Sequence, residues 1–282
     1  MLRLCLLILA LQDQPLPDTR TFLSELRKTL QSDSALLGQY TYTEKETHLT
    51  LDSRGNTKKT ETKVFQVFGG AERSQTYRRH ISTNGVPLTE KEMAKQDREQ
   101  KERIASESRK RQGQSEARRK QEKAKSDRED QEVIDDIFAM YDIQLVRREI
   151  LEGIPVIQLT FKSRPGYKTK TRQAGIMKHI AGKAWIAEQD HQLAKLESEV
   201  MEPIAIGAGI LAKVQKGSIL SFERRKVNNE IWLPVKQEAL INGRLLLFKG
   251  LNFRQVSEYS DHQKYSVDTI LTFGDLPLKP KP

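Results

Sequence analysis

A chain of 282 residues, 37% hydrophobic and 30% charged, suits one large domain or two small ones, and it can bury a real core once its most charged stretch is set aside. The net charge of +10 is spread along the chain, and the nearest approach to a basic cluster, "SRKRQGQSEARRK", has no aromatic residue, which argues against a focused nucleic-acid surface. The one cysteine, Cys5, lies in an apolar N-terminal run whose removal leaves none, which excludes structural disulfides, thiolate metal sites and a cysteine nucleophile together.

The chain opens "MLRLCLLILALQDQPLP". Arg3 followed by apolar Leu4 to Leu11 has the form of a short secretory signal over residues 1–11, with Ala10 as cleavage residue and a rather large Ile8 two positions before it. The other reading is the apolar first helix of a cytosolic protein. The run is far shorter than the roughly 20 residues a bilayer span needs. Asp18 or Thr19 then caps a helix to about Leu30, with Phe22, Leu23, Leu26 and Leu30 as one apolar stripe for a sheet to cover. In "GQYTYTEKETHLTLDSRGNTKKTETKVFQVFGG" the spacing predicts a hairpin: a strand through Tyr40, Tyr42, Leu49 and Leu51, the turn "DSRGN", and a second strand from Val64 to Phe68. "YRRHISTNGVPL" adds a strand with an Asn84-Gly85 turn.

Residues 89–132 form a charged helical insertion. Thr89 with Glu92 makes a capping box, helix formers dominate, and opposite charges recur at neighbouring turns, as in Glu99 with Arg103. Gly113 follows the basic turn Arg109-Lys110-Arg111 and Ser115 can restart a helix, so the element is one very long helix or two. Ser126 with Glu129 is a further capping box, and Val133, Ile134, Ile137, Phe138 and Tyr141 then give the first face able to dock. The insertion reads either as a solvated helix laced by its own ion pairs or as an arm that contacts an envelope partner.

Beyond Tyr141 the pattern turns to strands. "IQLVRREILEGIPVIQLTFK" is a hairpin about Glu152-Gly153. "SRPGYKTKTRQ" is a basic loop, read as a solvated connection or as a contact for anionic lipid headgroups, where each cation contributes about 1 kcal/mol. "AGIMKHIAG" suggests a short helix, "KAWIAEQDHQLAKLESEVME" two strands about the turn Glu188 to His191, and residues 216–260 a meander turning at Asn228-Asn229 and Asn242-Gly243. "HQKYSVDTILTF" is a last strand and residues 273–282 a loose tail. Strands joined by hairpins make an antiparallel sheet, with helices over one face.

The Trp185-Ile186 strand, the acidic turn and the Lys-Leu-Glu strand of "AWIAEQDHQLAKLE", with the downstream "IAIGAGILAKVQKGSILSFERRKVNNEIWLP", resemble the outer-membrane lipoprotein-sorting proteins: the periplasmic lipoprotein carrier, its outer-membrane receptor and their exported relatives in diderm bacteria. The resemblance covers most of residues 18–272 apart from the charged insertion. It implies an α+β fold, an antiparallel half-open β-barrel covered by helices, around an apolar cavity for acyl chains. By that resemblance the chain is a soluble, periplasmic, non-enzymatic binding protein without a cofactor. It would hold a lipid, acyl chain or other hydrophobic ligand, in envelope lipid or lipoprotein trafficking, and would meet an envelope protein or an anionic membrane surface. The carrier's early Arg-Pro motif has no counterpart in "TYTEKETHLTLDSRG", so no residue is carried over from it.

In such a barrel Trp185, Phe222, Trp232, Leu246 and Phe248 either fill the core or line the cavity. The stretch Ile206, Gly207, Gly209, Ile210 is either a flexible connection or an apolar lip at the mouth; it is not a phosphate loop. "RLLLFK" is apolar on both faces and should be covered on both. The five histidines have no metal-ligand spacing, and no GxSxG nucleophile elbow occurs. Two rivals to the carrier reading remain: an envelope interaction protein working through its charged helix, and a cytosolic nucleic-acid binder.

Overall fold

The computed structural model describes residues 15–29, 38–70, 76–207, 211–246 and 249–264. The signal expected over 1–11 and the tail at 273–282 lie outside these residues. Helix α1, Thr19–Thr29, starts where the Asp18 carboxylate accepts the Thr21 amide at 2.9 Å, and it buries Phe22 and Leu26.

Strands β1 (Tyr40–Leu51), β2 (Thr57–Phe68), β3 (Tyr77–Thr83) and β4 (Val86–Pro87) then form an antiparallel meander. Asn84 and Gly85 take φ of 50° and 79° at its last turn, the left-handed pair that a two-residue hairpin demands. β2 begins seven residues before the expected Val64, because the polar stretch from Thr57 continues the ladder along His48 to Leu51.

The charged segment is two helices, α2 (Glu90–Gln112) and α3 (Glu116–Met140). Thr89 and Glu92 exchange the bonds of a capping box at the start of α2. The break falls at Gly113, and Ser115 restarts the chain by accepting the Arg118 amide. The Ser126–Glu129 box is not used. That position lies inside α3, flanked by the ion pairs Lys123–Asp127 and Lys125–Glu129 and by no residue that would break a helix.

The expectation that nothing before Ser126 docks is corrected. Asp97 and Gln100 on α2 are buried against β3. Asp97 accepts from the Tyr77 hydroxyl at 2.8 Å and from Arg79 at 2.6 Å, while the Gln96 amide group clamps both backbone polar groups of His80. The helix docks through polar contacts, which an apolar stripe cannot reveal.

From Tyr141 the chain builds β5 (Tyr141–Leu151), β6 (Ile154–Ser163), the short helix α4 (Arg172–Met177), β7 (Ile180–Ala187) and β8 (Leu193–Val200). It continues with β9 (Ile204–Ile206), β10 (Ala212–Val214), β11 (Ile219–Val227), β12 (Ile231–Ile241), β13 (Gly243–Leu245), β14 (Lys249–Gly250) and β15 (Phe253–Lys264). Eleven strands make one open antiparallel sheet in the order β4-β3-β2-β1-β15-β12-β11-β8-β7-β6-β5. The last strand, β15, pairs with β1 on one side and β12 on the other, so it joins the N-terminal meander to the C-terminal one. β15 begins well before the expected "HQKYSVDTILTF", and that segment lies outside the described residues beyond Lys264.

The meander expected to turn at Asn242-Gly243 instead leaves the main sheet there. β13 pairs with β10 and with β14, and β10 with β9, in a separate four-stranded sheet of order β14-β13-β10-β9. Glycine permits this crossing: a Cβ on Gly243 would lie 2.4 Å from the Lys213 carbonyl oxygen. A tighter approach occurs within the main sheet at Gly182, where a Cβ would lie 2.1 Å from the Glu197 carbonyl oxygen of the neighbouring strand. The architecture is α+β, an open antiparallel sheet with α1 packed on β5 to β8 through Phe22, Leu26, Ile157, Leu159, Ala184 and Ile186.

Candidate functional site

Alternation along each strand sends successive side chains to opposite faces of the sheet. On β6, Ile157, Leu159 and Phe161 share one face; on β7, Ala184 and Ile186; on β8, Leu196 and Ser198. The register sets these residues side by side: Leu159 opposite Ala184, Ala184 opposite Leu196, and Leu196 opposite Phe222 on β11. α1 and α3 face this surface with Leu26, Ile137 and Phe138, and α4 contributes Met177. Between sheet and helices lies a cavity of about 550 Å3, continued by Tyr141, Ile143, Ile180, Leu193 and Leu220, with Gln237, Glu238, Ala239, Gln255 and Ser257 at its β12–β15 side. Its size falls in the usual range for ligand pockets, about 300–1,000 Å3.

The volume comes from small residues set among large ones. Ala184, Ser198 and Ala239 occupy lining positions that a branched side chain would fill. Gly182, between Phe161 and Ser198 in the ladder, adds no side chain at all. Glu238 is the one ionised group in the lining among the described residues, and it is paired with Arg254 at 2.8 Å. Ser198 donates its hydroxyl to the Leu220 carbonyl at 2.9 Å. Tyr141 donates to the Met177 carbonyl at 2.7 Å, and burial pushes its phenol well above the usual value. The cavity thus offers mainly apolar surface, and Tyr141, Ser198 and Glu238 in its lining are bonded to protein partners.

One end of the cavity is fixed by a buried carboxylate. Asp136, on α3 next to Ile137, accepts from the backbone amides of Lys170 and Thr171 at 2.7 Å each, from the Thr171 hydroxyl at 2.9 Å and from the Tyr167 hydroxyl at 3.0 Å. Burial alone would raise its pKa. The four donors outweigh that and hold the carboxyl below its ordinary value. The basic loop after β6 is thereby tied to the helix that lines the cavity.

Of the residues singled out from the sequence, Phe222 lines the cavity. Trp185 and Trp232 do not. They sit on the opposite face of the sheet, in a cluster with Val156, Ala187 and Ala194. Each indole donates to a carboxylate there, Trp185 to Glu149 at 2.9 Å and Trp232 to Asp190 at 3.0 Å, so the buried N–H of each ring is satisfied on that face. Leu246 lies in the turn after β13, 65% exposed and away from the cavity, so "RLLLFK" is not covered on both faces there. Ile206 and Gly207 belong to β9 and its turn in the small sheet and do not line the cavity, while Phe248, Gly209 and Ile210 lie outside the described residues. Sequence reasoning missed Tyr141, Ile143, Leu159, Phe161, Ala184, Ile186 and Leu196. Their signal was the alternation in phase with Ala184 and Ile186 rather than with Trp185.

Among the described residues no cluster of histidine, cysteine or acidic side chains is placed to hold a metal ion, and no helix is long and apolar enough to cross a membrane. No protein-family model and no curated protein matches the chain. Among solved structures the chain is similar to an outer membrane lipoprotein-sorting protein domain from Vibrio parahaemolyticus, at 10% identity and a TM-score of 0.32 over 88% of this chain and 92% of that one. It is similar to a DUF1329 family protein from Desulfovibrio piger, at 11% identity and a TM-score of 0.29 over 86% and 92%. It is also similar to a LolA superfamily protein from Nitrosomonas europaea, at 11% identity and a TM-score of 0.27 over 89% and 96%.

Proposed function

We propose that this chain is an exported, non-enzymatic binding protein that holds an acyl chain or comparable hydrophobic ligand in the cavity between its sheet and its helices, as a carrier in envelope lipid or lipoprotein traffic. The cavity carries the reading: about 550 Å3 of space walled by Leu159, Phe161, Leu196, Leu220, Phe222 and their neighbours. Ligand burial there removes apolar surface from water at roughly 25 cal/mol per Å2. Among the described residues the lining holds no histidine, and its one carboxylate, Glu238, is paired with Arg254, which supports a reading of binding rather than turnover.

The test is displacement of a fluorescent acyl probe from the purified chain, paired with the variant Ala239→Trp. Ala239 shares the face of Leu220 and is only half-buried, so an indole there fills the cavity without disturbing the packed core. The expected outcome is saturable binding by the parent chain and none by the variant, at an unfolding temperature within a few degrees of the parent. Probe binding by the parent with unchanged affinity in the variant would show that the cavity is not the site.

A further inference from the structure

The chain that frames one end of the cavity is exceptionally basic. Residues 162–178 hold Lys162, Arg164, Lys168, Lys170, Arg172 and Lys178 and no acidic residue. All six side chains are exposed, and none forms an ion pair with a carboxylate of the described residues. The segment leaves the cavity wall at Phe161 and returns to it at Met177 and Ile180. The nearby acids have other hydrogen-bond partners: Asp136 its four donors, Glu202 the His179 ring at 3.2 Å, and Asp142, which faces Lys162 across the ladder, the Gln144 amide at 3.3 Å.

A solvated connection needs no such anchoring. Here Asp136 fixes the backbone at Lys170 and Thr171, Tyr167 adds a third point, and Tyr141 holds the end of α4. Arg164, Lys168, Lys170 and Arg172 are therefore carried on an anchored segment beside an apolar cavity rather than on a free connection. An acyl chain in that cavity with a neutral head would leave them unused. An anion at that end would be attracted by all of them.

We infer that the occupant is an anionic amphiphile, its acyl chain in the cavity and its carboxylate or phosphate at the rim formed by Arg164, Lys168, Lys170 and Arg172. The inference rests on the cavity reading above and adds the headgroup class. The shared chemistry is a single anionic head on an acyl chain, from a fatty acid or from a phospholipid.

The test compares hexadecanoate, hexadecyl phosphate and uncharged hexadecanol as competitors of the acyl probe, on the parent chain and on the triple variant Lys168→Gln, Lys170→Gln, Arg172→Gln. The three side chains are exposed, and Asp136 bonds the Lys170 backbone rather than its ammonium, so the variant keeps the loop's anchors. An anion is expected to bind the parent at least about tenfold more tightly than the alcohol, with the advantage shrinking from low to high salt. In the variant the advantage disappears while the affinity for hexadecanol stays put. Preference for the phosphate or for the carboxylate supports the inference either way and identifies the source. Equal binding of anions and alcohol by the parent, or an advantage that survives in the variant, overturns the headgroup assignment and leaves the cavity reading standing. Failure of all three to compete overturns both.

Discussion

At the scale of single residues, the fold relies on a few polar groups whose partners are far away in the chain. Asp136 is buried beside the cavity, and its carboxylate is worth more ionised than protonated because four donors converge on it. Its folded pKa lies below the ordinary 3.8, so its contribution is fully present above that value and is lost as pH falls through the depressed one. Asp136→Asn keeps one acceptor oxygen and turns an amide toward donors. The expected cost is about 1–3 kcal/mol of stability, read as a lower unfolding temperature at neutral pH and a flatter stability profile below pH 4 than the parent shows. An unchanged unfolding temperature would mean that the loop is not held by this carboxylate. The two tryptophans show the same from the other side: each indole is buried in an apolar cluster, and its N–H finds a carboxylate, Glu149 or Asp190, there.

At the scale of elements, α2 shows how a helix with almost no apolar face can still be part of the body. The pair Asp97–Arg79 is nearly dry, with side chains 10% and 11% exposed, and Tyr77 completes it. Removing one partner of such a pair leaves a buried charge and costs about 3–5 kcal/mol where the pair is fully enclosed. Asp97→Ala should therefore release α2 from β3. Hydrogen exchange is expected to quicken across 90–112 while β5 to β8 keep their protection, since none of their contacts passes through Asp97. Exchange that rises equally in both regions would instead make α2 integral to the whole fold. Residues 115–130 of the next helix are exposed throughout and are held as a helix by pairs such as Arg118–Glu122 and Lys120–Glu116.

At the scale of the whole molecule, one face of a long open sheet does two things. Toward α1 it packs as a core through Ile157 and Ile186, and toward β11 and β12 it is left unfilled by Ala184, Ser198 and Ala239. On the proposed reading an acyl ligand completes the unfilled part, so affinity should follow chain length. Each added methylene contributes about 0.8 kcal/mol, or roughly a fourfold gain in affinity, until the cavity is full. A titration series of saturated carboxylates is expected to show that slope and then a plateau; a flat series would place the chains outside the cavity. Occupancy also stabilises the folded state by mass action, so the unfolding temperature should rise with the concentration of the best-fitting chain.

Much of this was legible in the residues themselves. The hairpins about Asn84-Gly85, Glu152-Gly153 and Asn228-Asn229, the capped starts at Asp18, Thr89 and Ser115, the break at Gly113 and the antiparallel order follow from local rules, because turn geometry and capping depend on neighbours a few positions apart. Other features depended on partners distant in sequence. The polar docking of α2, the passage of β13 into a second sheet, and the joining of two meanders by β15 are pairings across tens or hundreds of residues that leave no mark on either partner alone. The site belongs to this second kind. Alternation along β6, β7 and β8 announced two faces, yet only the packed structure decided which face the helices cover, that the tryptophans lie on the other one, and that small side chains meet around an unfilled volume. A cavity is a deficit of volume summed over several strands and three helices, and no single stretch of sequence carries that sum.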